Sequence, residues 1–302
     1  MRCLSTARSQ EGELGVKIGI GLPNPVPNTE GHVLLDWAKR AEEAGFSGLV
    51  TIDRIAYPSY DSLTALSAAA GATDRIALMT NILLAPIYPP VLLAKTAASI
   101  DQLSGGRFTL GLAAGGRPDD FEVAGRDFHR RGRDFDHALE VMHQVWRGEA
   151  LTQDSSPASP TPTRNERVPI LLGGNSDKTI ERMLAWGDGW TAGGAPAAQT
   201  APYVKQVRDA WSGAGRSGEP RIASLAYFSL GEDAEEASRE YLLHYYRFLG
   251  DYGPMIANGA LRSVSQVTDA VKAFEDAGVT ELYFDPTVAN LDQIDRLADA
   301  VL

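Results

Sequence analysis

The chain has 302 residues, 44% of them hydrophobic, which suffices for one large core or two medium ones. Its formal net charge of −11 argues against a nucleic-acid partner, because such a partner calls for a basic face. No apolar run approaches the roughly 20 residues of a membrane helix, and the single cysteine, Cys3, leaves no disulfide, cysteine–metal site or cysteine nucleophile.

Residues 1–15, MRCLSTARSQEGELG, are polar and lack the apolar stretch of a secretory signal. The expectation is a disordered tail over 1–15, then a single domain over 16–302, in a reducing, cytoplasmic setting. From Val16 short apolar runs alternate with helical periods. Val16–Gly21 reads as a strand. Thr29–Gly45 reads as a helix, with Leu34, Leu35, Ala38, Ala41 and Ala44 at helical spacing and Gly45 as its stop. Strand Gly48–Asp53, helix Ser62–Thr73, strand Arg75–Ala85, helix Val91–Leu103 and strand Arg107–Ala113 follow. The next helix is clearest over Phe135–Arg147, with a start near Gly132. Leu151–Arg167 (LTQDSSPASPTPTRNER) has three prolines and no apolar period, so it is expected to be a mobile insertion loop. The rhythm resumes with strand Val168–Leu172, helix Asp177–Trp186, strand Gly189–Ala192 and helix Ala197–Trp211. Strand Arg221–Leu230 and helix Asp233–Leu249 come next. Helix Val264–Ala277, strand Glu281–Asp285 and helix Leu291–Val301 close the chain.

Eight strands, each followed by helical sequence, imply parallel pairing through right-handed crossovers. The fold class expected is α/β, a (β/α)8 TIM barrel, with an open doubly wound sheet as the rival. In such a barrel, active sites form at the C-terminal strand ends. Three consecutive strands end in glycine pairs, at Gly115-Gly116, Gly173-Gly174 and Gly193-Gly194, and glycine lets a ligand approach the backbone closely. After Gly173-Gly174-Asn175, Ser176 is placed to cap a helix with Asp177 in its first turn and Thr179 one turn on. Two readings stand for this stretch. One is an ordinary capped turn. The other is a phosphate grip made of free amides, the positive helix end and two hydroxyls.

Several segments then resemble those of the bacterial luciferase-like flavin oxidoreductases. They are LSGGRFTLGLAAGG, FEVAGRDFHRRGRDFDHALEVMHQVW and VPILLGGNSDKTIERMLAWGDGW, and the likeness keeps its order from about Val16 to the end. The resemblance implies a TIM barrel that binds FMN or the deazaflavin coenzyme F-420 and acts on a small-molecule substrate. Reduced FMN with O2 implies a monooxygenase, and the deazaflavin implies hydride transfer. It further implies a homodimer, and reduced flavin arriving from a separate flavin reductase. By the same resemblance Gly173, Gly174, Asn175, Ser176 and Thr179 match the phosphate loop, and Gly193 and Gly194 the neighbouring loop. Arg133 matches an arginine reaching toward the phosphate, against a reading as a salt bridge to Asp134 or Asp136. Ala113, Ala114 and Gly115 match the strand beside the cofactor. Asn81-Ile82 matches a bulge where the family often has a non-prolyl cis bond against the flavin ring, against a reading as an ordinary buried strand end, and Thr80 beside it is a further cofactor-binding candidate.

The chain departs from the family at Asp53-Arg54, where deazaflavin members commonly have Asp-His. Histidine titrates near neutrality, whereas arginine keeps its proton and acts as an anion clamp or charge stabiliser. Asp53 and Arg54 are the candidate catalytic residues. Tyr57, Tyr60 and His129 are candidates for the substrate pocket, against plain loop packing for the tyrosines and a solvated loop for the histidine. The five histidines show no metal spacing. The aromatic stretch Tyr241–Gly253 reads first as a helix packed on the barrel, with a pocket wall or a dimer face as alternatives. Two other functions stay open: a non-redox barrel enzyme on a phosphorylated metabolite, and a flavin-binding protein without turnover.

Overall fold

A computed structural model describes residues 15–164, 167–231 and 234–302. The expected tail, apart from Gly15, lies outside the described residues, as does Asp233. Within them the alternation closes into a barrel. Its strands are β1 (Lys17–Gly21), β2 (Gly48–Thr51), β3 (Ala77–Thr80), β4 (Leu83–Leu84), β5 (Phe108–Ala113), β6 (Ile170–Gly173), β7 (Gly189–Thr191), β8 (Arg221–Phe228) and β9 (Glu281–Pro286). All neighbours pair in parallel, in the order β3-β2-β1-β9-β8-β7-β6-β5-β4. β3 also pairs with β5, Leu78 opposite Phe108, so the sheet has no free edge and the open-sheet rival is excluded.

The third strand differs from its expected span. It is divided into β3 and β4, which serve as one stave, and the Asn81-Ile82 peptide between them is cis. The Asn81 carboxamide is fixed there: its Oδ1 accepts from Thr191 Oγ1 at 2.8 Å.

The helices wrap the outside: α1 (Gly31–Ala44), α2 (Ser62–Ala72), α3 (Pro90–Leu103), α4 (Pro118–Val123), α5 (Arg131–Trp146), α6 (Asp177–Trp186), α7 (Ala197–Gly213), α8 (Glu235–Tyr245), α9 (Tyr252–Asn258), α10 (Val264–Asp276) and α11 (Asp292–Val301). α1 stops where Gly45 enters the left-handed region at φ 96°, and α2 starts where Asp61 accepts from Thr64 N. Leu34, Trp37, Ala38 and Ala41 of α1 join the main core, which lies between the helices and the outward-facing strand residues. Val50, Met79, Leu171, Ala223 and Tyr283 fill the barrel interior. Beneath them, Arg221 forms a bidentate pair with Glu281.

Two expectations change here. Helix Asp233–Leu249 is interrupted: α8 ends at Tyr245, a 3-10 turn covers Arg247–Leu249, and α9 follows Gly250, whose φ of 55° breaks the helix. The Leu151–Arg167 segment, expected as a mobile insertion loop, does not reach the mouth where a substrate would enter. Its described residues follow α5 and precede β6, so they lie at the N-terminal end of the barrel, whereas Asn165 and Glu166 lie outside the described residues. Thr163 donates from N and Oγ1 to Asp101 at 2.6 and 2.7 Å, and Gln102 Nε2 donates to Thr161 O at 2.8 Å.

Candidate active site

At the C-terminal strand ends a cavity of about 650 Å³ opens. Its first wall is mostly backbone. β6 runs straight into Gly174, whose φ is 114°, and into the N-terminus of α6. A Cβ at Gly174 would lie 2.8 Å from Thr179 Oγ1, so the hollow beside that hydroxyl exists only with glycine. Ser176 takes the cap position with an extended backbone, but its side chain caps nothing; its Oγ lies 3.2 Å from Thr179 Oγ1. The amides of Asn175, Ser176 and Asp177 have no acceptor among the described residues. Trp190 Nε1 holds the Gly174 carbonyl at 2.7 Å, and Tyr203 OH holds the Ser176 carbonyl at 3.0 Å. The carbonyls are thus occupied while amides and hydroxyls stay available, which is the donor set an anion requires.

Two arginines flank this wall. Arg131, at the start of α5, donates to Gly115 O at 3.1 Å and to Phe128 O at 3.0 Å. Arg182 of α6 pairs with Asp136 at 2.6 Å. Both line the cavity.

The second wall is built from side chains. Tyr227 of β8, Tyr245 of α8, and Tyr246, Phe248 and Leu249 beyond it face the cavity. Arg117, in the loop after β5, lies 4.6 Å above the Tyr245 ring and 4.5 Å above the Phe248 ring, and donates to Tyr245 OH at 3.2 Å. The hydroxyls of Tyr227 and Tyr246 are 2.6 Å apart.

Asp53 sits on the cavity floor. It is buried and accepts from Leu84 N at 3.0 Å and Tyr88 OH at 3.1 Å. Burial outweighs those two hydrogen bonds and lifts its carboxyl to about 6. That value suits a group which exchanges a proton near neutral pH.

The structure therefore gathers Asp53, Asn81, Ala113, Ala114, Gly115, Gly173, Gly174, Asn175, Ser176, Thr179, Gly193 and Gly194 around one cavity. Other candidates lie elsewhere. Thr80 is buried in the ladder, where its Oγ1 exchanges hydrogen bonds with Gly111 at 2.9 Å. Arg133 is exposed; two residues along α5 from Arg131 is about 200° of rotation, which turns it away from the cavity. Asp134 and Asp136 pair instead with Arg130 and Arg182. Arg54 is buried and its guanidinium is held by Asp119 at 2.8 Å and Asp120 at 3.1 Å, so its charge is spent on tying α4 to the loop after β2. Tyr57 stands one ring behind the cavity, edge-on to Tyr245 and 3.1 Å from His244 Nδ1. The Tyr60 hydroxyl is fixed to Thr29 O at 2.7 Å, and His129 is exposed beside Phe128.

Residue-level reading passed over Arg117, Arg131 and Arg182, and gave Tyr245, Tyr246, Phe248 and Leu249 a packing role first. The signals were a cation straight after a glycine pair and an unusually dense aromatic run. Among the described residues no group of three or more His, Cys, Asp or Glu side chains converges as a metal site, and no helix is long and apolar enough to cross a membrane.

Comparison with known proteins gives the following. The luciferase-like monooxygenase family profile matches residues 14–294. An uncharacterised protein of Mycobacterium tuberculosis is 30% identical over 222 residues, covering 64% of this chain and 77% of that protein. Among solved structures, the monooxygenase RslO1 of Streptomyces bottropensis superposes with a TM-score of 0.78 at 22% identity, covering 94% of this chain and 97% of that one. An F-420-dependent secondary alcohol dehydrogenase, solved with an F-420–acetone adduct, gives 0.76 at 18%, covering 95% and 98%. The oxygenating constituent of 3,6-diketocamphane monooxygenase from Pseudomonas putida, solved with FMN, gives 0.73 at 16%, covering 95% and 98%. At these identities the structural likenesses speak for a common fold.

Proposed function

The chain belongs to the luciferase-like monooxygenase family, and from that premise we propose that it is a flavin-dependent oxidoreductase which uses reduced FMN and O2 to oxygenate a small organic substrate. One observation carries the reading: the unpaired amides at the start of α6, with the Ser176 and Thr179 hydroxyls beside them, share a single cavity with the Asn81-Ile82 turn and the Ala113–Gly115 strand end.

The residues present fit such a group. Ser176 and Thr179 offer hydroxyls, and Asn175 to Asp177 offer amides, to a phosphate. The α6 N-terminus together with Arg131, whose guanidinium donates to carbonyls, supplies positive potential, while the charge of Arg182 is taken up by Asp136. Gly115, Gly173 and Gly193 keep the approach open for a planar ring, with Ile82 and Leu84 as apolar contacts. When bound, reduced FMN supplies the electrons that activate O2. The chain's own work is to orient, to shield and to move a proton. The Tyr227–Tyr246 pair, Tyr245 and Phe248 keep water from the side opposite the phosphate. Asp53, poised near pH 6, takes or gives the proton that oxygenation requires.

The likeness to the F-420-dependent dehydrogenase supports a second reading, in which the same cradle holds the deazaflavin and the reaction is hydride transfer. One titration separates the two. Purified protein is titrated with FMN, with reduced FMN under anaerobic conditions, and with F-420, and affinity is followed by fluorescence. Tight binding of reduced FMN, weakened by Ser176→Ala, is expected. Binding of F-420 alone transfers the assignment to the second reading. Binding of neither, with protection by sugar phosphates, overturns both.

A further inference from the structure

Asp53 sits on the cavity floor, so a ligand that fills the cavity covers it from the mouth. A group that works near neutral pH must nevertheless lose and regain its proton. The hydrogen bonds of Asp53 show another way out. Besides Leu84 N, its partner among the described residues is the Tyr88 hydroxyl, 3.1 Å from Oδ1 and 3.3 Å from Oδ2. Tyr88 in turn lines a second hollow, of about 410 Å³, which does not include Asp53. That hollow lies outside the barrel, where the start of α3 meets the chain between α4 and α5. Arg126, Asp127, Arg130 and His137 line it, and all four are exposed, so solvent reaches it without passing the mouth.

Tyr88 thus separates the two spaces. Its ring packs against Leu84, Ile87 and Phe121, so its hydroxyl is a polar link through an apolar layer. Burial, together with the Asp53 charge, holds the phenol well above its ordinary range. Tyr88 therefore stays neutral, and it can pass a proton only by accepting one as it gives one up. The other carboxylates near Asp53 are engaged elsewhere: Asp61 accepts from Thr64 N, and Asp120 from Arg54 and from the amides of Ile55 and Ala56.

We propose that Tyr88 is a proton relay between Asp53 and the outer hollow, through which Asp53 exchanges its proton with solvent while the cavity is filled. When Asp53 ionises, its proton moves to the Tyr88 oxygen as the Tyr88 hydroxyl proton passes to solvent in the hollow. Protonation runs the same steps in reverse, and the tyrosine is neutral before and after. His137, whose ring offers one donor and one acceptor nitrogen when neutral, stands on the α5 side of the hollow. Tyr88 acts through Asp53, so it is a positioning residue. The inference deepens the proposed function, because it rests on Asp53 as the group that moves a proton there; the exchange itself does not require the flavin.

The test follows the Asp53 carboxyl band by time-resolved infrared spectroscopy after a jump from about pH 5 to about pH 7, across its value of about 6. The band is assigned by its loss in Asp53→Asn. The full chain is measured with the cavity open, with FMN bound, and with Ala114→Trp, which fills the cavity from its own wall without a ligand. With the cavity filled, the otherwise wild-type chain is expected to relax within about twofold of its open rate, while Tyr88→Phe slows at least about tenfold. With the cavity open, Tyr88→Phe stays within about twofold of wild type, because the mouth then serves. Tyr88→Phe keeps the ring, so the fold is retained. It raises the Asp53 midpoint in every state, since a donor to the carboxylate is lost; a merely structural role gives that shift without any dependence on filling. His137→Trp, at an exposed position, fills the outer hollow from α5 and slows the filled-cavity relaxation without moving the midpoint. Equal filled-cavity rates with and without the Tyr88 hydroxyl overturn the proposal. So does filling that slows the Tyr88 form as much as Tyr88→Phe, or a filled-cavity rate that His137→Trp leaves unchanged. If FMN does not bind and Ala114→Trp reveals the effect, the relay stands and the flavin reading falls. If FMN binds and Tyr88→Phe has no effect under either filling, the relay falls and the flavin reading stands.

Discussion

The two walls of the candidate cavity are made in opposite ways. On the α6 side, binding capacity comes from backbone: Gly174 at φ 114°, the amides of Asn175 to Asp177, and two short hydroxyl side chains. On the α8–α9 side it comes from large side chains, with Arg117 laid over Tyr245 and Phe248 and the Tyr227 and Tyr246 hydroxyls joined at 2.6 Å. A backbone wall reads charge and tolerates little change, because a single Cβ fills it. An aromatic wall reads shape and excludes water, and it can be altered piece by piece. The first suits an invariant part of a ligand such as a phosphate, the second a variable one such as a substrate.

This contrast can be broken most sharply at Gly174. Gly174→Val places a branched side chain at a positive φ and against Thr179 Oγ1; FMN affinity should fall about 100-fold, given roughly 1–3 kcal/mol of backbone strain on top of the lost space. Fluorescence titration measures it, with circular dichroism to show that the barrel persists. Unchanged affinity would move the phosphate away from α6.

Asp53 lies between the walls and gives the next largest effect. Burial raises its folded value from 3.8 to about 6, so the folded chain binds more protons than the unfolded one in that interval. Its contribution is therefore greatest below pH 4 and is lost as pH rises through about 6. Asp53→Asn keeps acceptance from Leu84 N and can donate to Tyr88 OH. It should gain on the order of 2–3 kcal/mol over wild type above pH 6, with little difference below pH 4. Chemical denaturation at a series of pH values would show the two stability curves parting across that window; parallel curves contradict the assignment.

Thr179→Val removes one hydroxyl from the backbone wall and should weaken FMN about tenfold, the scale of one hydrogen bond to a charged group. On the other wall, Arg117→Gln should leave FMN affinity within about threefold while costing about 1 kcal/mol of stability through lost contact with the rings. Thermal unfolding and titration of the same samples sharpen the contrast: equal losses of flavin affinity in both variants would mean that the walls do not divide their tasks.

Much of the backbone wall could be read along the chain. Gly173-Gly174-Asn175-Ser176 lies at a strand end before a helical period, and both its shape and its chemistry are local. Arg131 and Arg133 show the limit of such reading. Two residues apart on α5 they face opposite ways, and only the helix's rotational setting against the barrel decides which one meets the cavity. Arg54 shows another limit. It looks like an open cation until α4 brings Asp119 and Asp120 against it.

What the sequence determined by itself is the alternation of strand and helix, hence a barrel with its site at the glycine-rich strand ends, because periodicity and turn chemistry act over a few residues. What only the tertiary structure decided is the aromatic wall and the place of the described part of the Leu151–Arg167 loop. Each depends on contacts between segments far apart in sequence, such as Arg117 with Tyr245 or Thr163 with Asp101. Packing energy between such segments is shared among many residues, so no single stretch announces it.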